Sequence, residues 1–304
     1  LNNAQPDRQG IDGVLRLVDG RELGYTEYGD PHGRPIIYCH GLPSSRFEGE
    51  LVHSAARKSG IRLIAIDRPG VGRSDFLADR TLLDWPADVE AVADHLGLQR
   101  FAVLGVSGGA PYAAVCAWKI PQRVSKVGIV AGLGPPNTPG RWADMPLFAR
   151  FVLNLAGRWP GLLHVSLVFL VPGIKLFLLL LYRYFSQTLS DADRHVLRHS
   201  RVETTLRKTF HEATCQGPSG IRRELMIAAQ PWNFALSEIK VPAFLWHGEA
   251  DHMVPIRFGK FVSSELPHCR SRFVPEQGHY SLPFLHTEEI FSAVAGDGER
   301  LATE

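Results

Sequence analysis

The sequence predicts an α/β protein built on a mostly parallel, twisted sheet flanked by helices. Two features predict it. Short, continuous apolar runs bounded by Gly or Pro recur along the chain, which suits strands covered on both faces. Stretches of helical length and pattern lie between them, so the order reads as repeated βαβ units. A third feature marks where chemistry would sit: G-V-S-G-G-A-P, residues 105–111, joins one apolar run to one helical stretch.

Near the N-terminus, Val14–Val18 and Arg21–Tyr28 flank Asp19-Gly20, a favoured turn dipeptide, and read as a hairpin. Pro35–His40 is the first short apolar run, followed by a helical pattern from Phe47 to Lys58. Ile61–Ile66 precedes a helical stretch from Trp85 to Leu98, and Phe101–Val106 precedes another from Pro111 to Lys119. Val124–Val130 closes this rhythm. The turn-rich G-P-P-N-T-P-G at 134–140 then opens a region that reads as helical throughout. Within it, Ser190-Asp191-Ala192-Asp193 has the form of a helix N-terminus with acidic residues in the first turn. Strand patterns return at Val241–Trp246 and Ser271–Val274. The expected organisation is a core in two parts, 1–133 and 237–304, with a helical cap inserted at 134–236.

Leu162–Leu181 approaches the length of a bilayer span, but His164, Pro172-Gly173 and Lys175 interrupt it. It is expected to form apolar cap helices that pack on the core, line an acyl pocket, or offer a face for a membrane or a second copy of the chain. The 33 Lys and Arg against 31 Asp and Glu leave a net charge of +2, which is no nucleic-acid footprint. The four cysteines, at 39, 116, 215 and 269, lack metal-ligand spacing and form no close pair. Cys39 and Cys116 stand in apolar runs and read as small buried residues. With no signal-peptide pattern visible, a cytoplasmic location is expected.

The glycines around Ser107 call for a mechanical reason. G-V-S-G-G matches G-x-S-x-G, in which a sharp strand-to-helix turn holds a serine oxygen exposed in a strained conformation. Side chains at 105 and 109 would strike the neighbouring strand and helix. A serine at its ordinary pKa needs a base, and the base needs an orienting acid. Asp251 in H-G-E-A-D-H-M-V-P and His279 in P-E-Q-G-H-Y-S each come after a predicted strand, so both arrive at the sheet edge that carries Ser107. Glu249 shares the turn with Asp251, but the acid is usually the later residue. His247, Glu249, Asp251 and His252 lack the i, i+4 helical spacing of a zinc site, and no metal or cofactor is expected. Backbone N–H groups of Leu42, in H-G-L-P-S-S, and of Gly108 are the expected oxyanion donors. His40 reads as a structural histidine, and D-R-P-G-V-G-R-S-D at 67–75 as a turn-forming segment without the ending of a nucleotide loop.

Together the H-G-x-P at 40–43, D-R-P-G-x-G-x-S-D at 67–75, G-x-S-G-G at 105–109, H-G-E-x-D with V-P at 247–255, and G-H at 278–279 resemble an α/β-hydrolase-fold protein. The likeness covers essentially the whole chain. It is similar to capped bacterial α/β hydrolases, esterase- and lipase-like, that also carry P-W-x-F, here Pro231 to Phe234. The resemblance implies Ser107 as nucleophile, Asp251 as acid, His279 as base, and Leu42 with Gly108 as oxyanion hole. Epoxide hydrolases and haloalkane dehalogenases place Asp where this chain has Ser107. Proline iminopeptidases usually show H-G-G-P-G, where this chain reads H-G-L-P-S. The expected function is hydrolysis of carboxylic esters with apolar medium-chain, long-chain or aromatic acyl groups. Carbon–carbon bond hydrolysis, lactone hydrolysis and a ligand-binding receptor with little turnover are the alternatives.

Overall fold

A computed structural model describes residues 10–172 and 189–296. Eight strands form one sheet: β1 (Ile11–Arg16), β2 (Glu22–Gly29), β3 (Arg34–Cys39), β4 (Ile61–Ile66), β5 (Phe101–Val106), β6 (Val124–Val130), β7 (Ala243–Gly248) and β8 (Cys269–Val274). Their order across the sheet is β1-β2-β4-β3-β5-β6-β7-β8. The β1–β2 and β2–β4 pairs are antiparallel and all the others are parallel. At the hairpin, Gly20 takes φ +90°, a left-handed conformation that glycine adopts without steric cost.

Alternation within each strand builds two cores from one sheet. Ile37, Ile64, Val103 and Val127 face one side, where α2 (Trp85–His95), α3 (Ala110–Lys119) and α9 (Ile256–Glu265) bring Val89, Ala113 and Val262. Ile36, Leu63, Leu104 and Phe244 face the other, under Ala56 of α1 (His53–Lys58) and Phe291 and Val294 of α10 (Thr287–Ala295). Side chains alternate across a strand with period two, so a run that is apolar at every position covers both faces. Cys39 and Cys116 are buried, free thiols, as their apolar surroundings in the sequence suggested.

One expected helix is different. Residues 46–52 form a 3-10 turn, Arg46–Val52, before α1 begins at His53. Here Gly49 lies so close to Tyr28 that a methyl on it would meet the ring at 2.6 Å, and the Arg46 N–H donates to Asp67 Oδ1 at 2.7 Å. Tertiary contacts thus hold the turn at its start and at its middle.

Between β6 and β7 the described chain is largely helical. It comprises α4 (Leu147–Arg158), α5 (160–172), α6 (Asp191–Leu197), α7 (Ser200–Ala213) and α8 (Ser219–Ala229). Ser190 caps α6, its hydroxyl accepting from Asp193 N–H at 3.1 Å, as the sequence pattern suggested. Leu155, Leu163, Leu167 and Val171 pack with Ile221 and Val71, and Leu42 leans on this cluster. The opposite stripe faces outward: Leu147, Phe151, Leu162, Val165 and Phe169 are exposed, Phe169 by 76%. The inner stripe therefore packs inward and the outer one is open to solvent. Of Leu162–Leu181, residues 173–181, with Lys175, lie outside the described residues. Among the described residues no helix is long and apolar enough to cross a membrane.

Candidate active site

Parallel strands deliver their succeeding loops to one edge of the sheet, and the predicted site residues meet there. β5 is buried along its whole length and ends at Val106. Ser107 comes next at φ +54°, a conformation that costs a residue with a side chain about 1–3 kcal/mol and persists only where its surroundings enforce it. They do. A methyl on Gly105 would lie 2.5 Å from Gly109 O and 2.8 Å from Ala113 Cβ, and one on Gly109 would lie 2.0 Å from Cys39 O. The turn is thus clamped between β3 and α3, and the Ser107 carbonyl accepts the Leu133 N–H at 3.0 Å.

His279 and Asp251 complete a chain of contacts. Ser107 Oγ stands 2.9 Å from His279 Nε2, and His279 Nδ1 stands 2.8 Å from Asp251 Oδ2. Asp251 Oδ1 accepts the N–H groups of Met253 and Val254 at 2.9 and 2.8 Å, which orients the carboxylate. Glu249, the alternative acid, is exposed, as is His252. His247 is buried beside Asp251, but its Nε2 is 2.8 Å from Val254 O against 3.6 Å from Asp251 Oδ2. Burial pulls its pKa down, which keeps it neutral.

The electrostatics of the pair are reciprocal. Burial alone would lower the His279 pKa, but the Asp251 charge and hydrogen bond outweigh it and the net shift is upward. Burial alone would raise the Asp251 pKa, and the His279 partner reverses that to a net lowering. A proton arriving on His279 therefore meets a carboxylate already in place.

Opposite Ser107, the H-G-L-P loop brings Leu42 N close to Gly108: a methyl on Gly108 would lie 3.2 Å from that nitrogen. The Leu42 N–H is taken by no acceptor among the described residues. Two charged groups hold the loop. Glu48 Oε2 accepts the Gly41 N–H at 3.0 Å, while Arg68 donates to the carbonyls of His40 and Gly41 at 2.7 and 2.8 Å. His40 is fully buried with Nδ1 2.9 Å from Gly41 O. Burial and the charge of Arg68 push its pKa well down, so it is a neutral structural residue. The 67–75 segment is the turn expected of it, with positive φ at Gly70 and Gly72, and its Arg68 is what reaches the loop.

Three supports carry no mark in the sequence pattern. Arg68 is itself held by Glu224 of α8, through Nε to Oε2 at 2.5 Å, and Glu224 also meets Arg80 and the Tyr112 hydroxyl. Glu48 falls inside an expected helix, with nothing to single it out. Asp193 reads only as part of a helix start, yet its carboxylate accepts the backbone N–H groups of His279, Tyr280 and Ser281. The Glu224 and Asp193 contacts join residues more than eighty positions apart, and no local pattern announces them.

Comparison with known proteins agrees with this fold. A family model described as alpha/beta hydrolase fold matches residues 34–284. The chain belongs to that family. A non-heme chloroperoxidase from Streptomyces lividans is 33% identical over 262 residues, covering 84% of this chain and 87% of that protein. A proline iminopeptidase from Xanthomonas citri is 34% identical over 110 residues, and the match spans 34% of each chain, about a third of that relative's length. Among solved structures, an esterase from Exiguobacterium antarcticum superposes with a TM-score of 0.67 at 20% identity, covering 93% of this chain and 97% of that one. At that identity the likeness speaks for the fold alone. Membership of the alpha/beta hydrolase fold family supports a hydrolase, without choosing the bond it cleaves.

Proposed function

We propose that this protein is a serine hydrolase that cleaves carboxylic esters with apolar acyl groups. The observation that carries the proposal is the unbroken line Ser107–His279–Asp251 at a positive-φ strand-to-helix turn, with contacts of 2.9 and 2.8 Å. In this reading His279 Nε2 takes the proton of Ser107 as its oxygen attacks the ester carbonyl. The Leu42 and Gly108 N–H groups receive the oxyanion as charge develops on it. The alcohol departs with the proton that His279 returns, and water then repeats the sequence on the acyl-enzyme. Asp251 keeps the imidazole in the tautomer that presents an unprotonated Nε2 to the serine. The chemistry needs no cofactor.

The acyl preference rests on the inner stripe of α4 and α5. Leu155, Leu163 and Leu167 share a cluster with Leu42, so apolar surface adjoins the oxyanion loop. The test combines labelling with turnover. A fluorophosphonate probe should label the wild-type chain at Ser107 and leave Ser107→Ala unlabelled. A panel of esters, lactones, β-diketones and N-terminal proline amides should show the esters turned over fastest. Fastest cleavage of any other class would replace the ester assignment, and tight ligand binding without labelling would make the protein a receptor.

A further inference from the structure

Two carboxylates act on the His279 region, from different parts of the chain. Asp251 meets the ring. Asp193, the third residue of α6, meets the backbone: its Oδ2 accepts the His279 N–H at 2.9 Å, and its Oδ1 accepts those of Tyr280 and Ser281 at 2.9 and 2.8 Å. Asp193 is fully buried, and its own N–H is held by Ser190 Oγ at 3.1 Å. The approach is close enough to require glycine at 278, where a methyl would lie 2.2 Å from Asp193 Oδ2 and 2.4 Å from Ser190 Oγ. Gly278 N–H in turn donates to Ser281 Oγ at 2.8 Å. A buried carboxylate with three converging N–H donors is a strong, directional anchor.

We infer that Asp193 is a positioning residue for His279: a carboxylate from the helical stretch between β6 and β7 fixes the loop that carries the base, and so sets the reach of Nε2 to Ser107. The inference rests on the proposed role of His279. Its physical content is that His279 has one anchor for its ring and a separate one for its Cα. A loop tied only through the ring would swing about the Asp251 contact and open the distance to Ser107. Displacements near 1 Å at a reacting group lower rates by up to about a hundredfold.

The charge of Asp193 adds a second readout. The charged and titratable groups around His279 are Asp251 after β7, Asp193 on α6, Glu48 on the 3-10 turn, His247 in β7 and the neighbouring Tyr280. Asp251, Asp193 and Glu48 all favour the imidazolium. Removing one of the three carboxylates should move the acid limb of kcat/KM to lower pH, which a residue that only supports folding would not do.

The experiment compares full-length wild type, Asp193→Asn, Asp193→Glu and Gly278→Ala, with rates normalised to serines labelled by a fluorophosphonate. For Asp193→Asn the expected result is a kcat at least about tenfold lower, KM little changed, and an acid limb displaced downward. Asp193→Glu, which keeps the charge, should restore the limb and part of the rate. Gly278→Ala forces the loop off an intact Asp193 and should lower kcat while moving the limb less than Asp193→Asn does, so the idea stays testable if Asp193→Asn does not fold. A folded Asp193→Asn with wild-type kcat and an unmoved limb would overturn the inference, as would Gly278→Ala at wild-type rate. A wild-type chain that never labels would instead overturn the nucleophile assignment on which both stand.

Discussion

Asp251 Oδ2 lies 2.8 Å from His279 Nδ1, with the carboxylate sealed from solvent and the imidazole almost so. The pair is poised to share a proton, and this sets the pH behaviour. The net shift of His279 is upward from its ordinary value of 6.5, so on acidification the base is lost at a higher pH than for a free histidine. Activity as kcat/KM should therefore rise along a limb centred above 6.5. A limb at or below the free-histidine value would contradict the geometry.

The same pair links pH to stability. The raised His279 pKa contributes stability fully present below 6.5 and lost as pH rises through the folded value. The lowered Asp251 pKa contributes stability present above 3.8 and lost as pH falls through its folded value. Both are in force between 3.8 and 6.5. Denaturation midpoints of Asp251→Asn and wild type should differ most inside that window, and the difference should shrink as pH falls through the folded Asp251 value or rises through that of His279. Activity of Asp251→Asn should fall by roughly 10⁴-fold in kcat, because the wrong tautomer of His279 then faces the serine.

Ser107 separates function from stability. Ser107→Ala should lower kcat by roughly 10⁴-fold or more and leave the fold intact. Ser107→Gly should be equally inactive but more stable than Ser107→Ala, since glycine occupies φ +54° without strain. The gain expected is on the order of 1 kcal/mol. Urea titration of the two variants measures it, and an alanine variant at least as stable would mean the turn is unstrained.

Glu224 is fully buried between Arg68 and Arg80, whose charges hold its pKa down to about 2 against the upward push of burial. Glu224→Gln strands two buried guanidinium groups and should cost about 3–5 kcal/mol of stability. It should also loosen Arg68 from the His40 and Gly41 carbonyls and lower kcat in whatever protein remains folded. Thermal unfolding alongside active-site labelling separates the two effects. A variant as stable as wild type would show that the network is dispensable.

Chain-length preference should depend on the inner stripe of α4 and α5 and ignore the outer one. Each buried methylene contributes up to ~0.8 kcal/mol, so an octanoyl ester should exceed a butyryl ester by roughly a hundredfold in kcat/KM. Leu167→Ala should shift that preference, while Phe169→Ser, at a position 76% exposed, should leave it alone. Assays with p-nitrophenyl esters below their critical micelle concentrations test this. Activity that is highest with acetate and falls with length would assign the inner stripe to packing only.

By itself, the sequence determined the sheet and the identity of the residues that meet at its edge. Strands such as Phe101–Val106 are apolar at every position because both faces are covered, and that composition is legible without a structure. Gly105 and Gly109 are legible too, since a turn that tight admits no side chain. Ser107, Asp251 and His279 each come after a strand, and parallel strands bring their succeeding loops to one edge. Only the tertiary structure decided what holds these residues in place. Asp193, Glu224 and Glu48 act through backbone groups and guanidinium partners, and a carboxylate in a helix looks the same whether it faces water or a buried loop. It likewise decided which stripe of α4 and α5 turns inward, because both stripes are apolar and periodicity cannot choose between them. Local pattern records which elements form, whereas burial of a polar group is set by what packs against it.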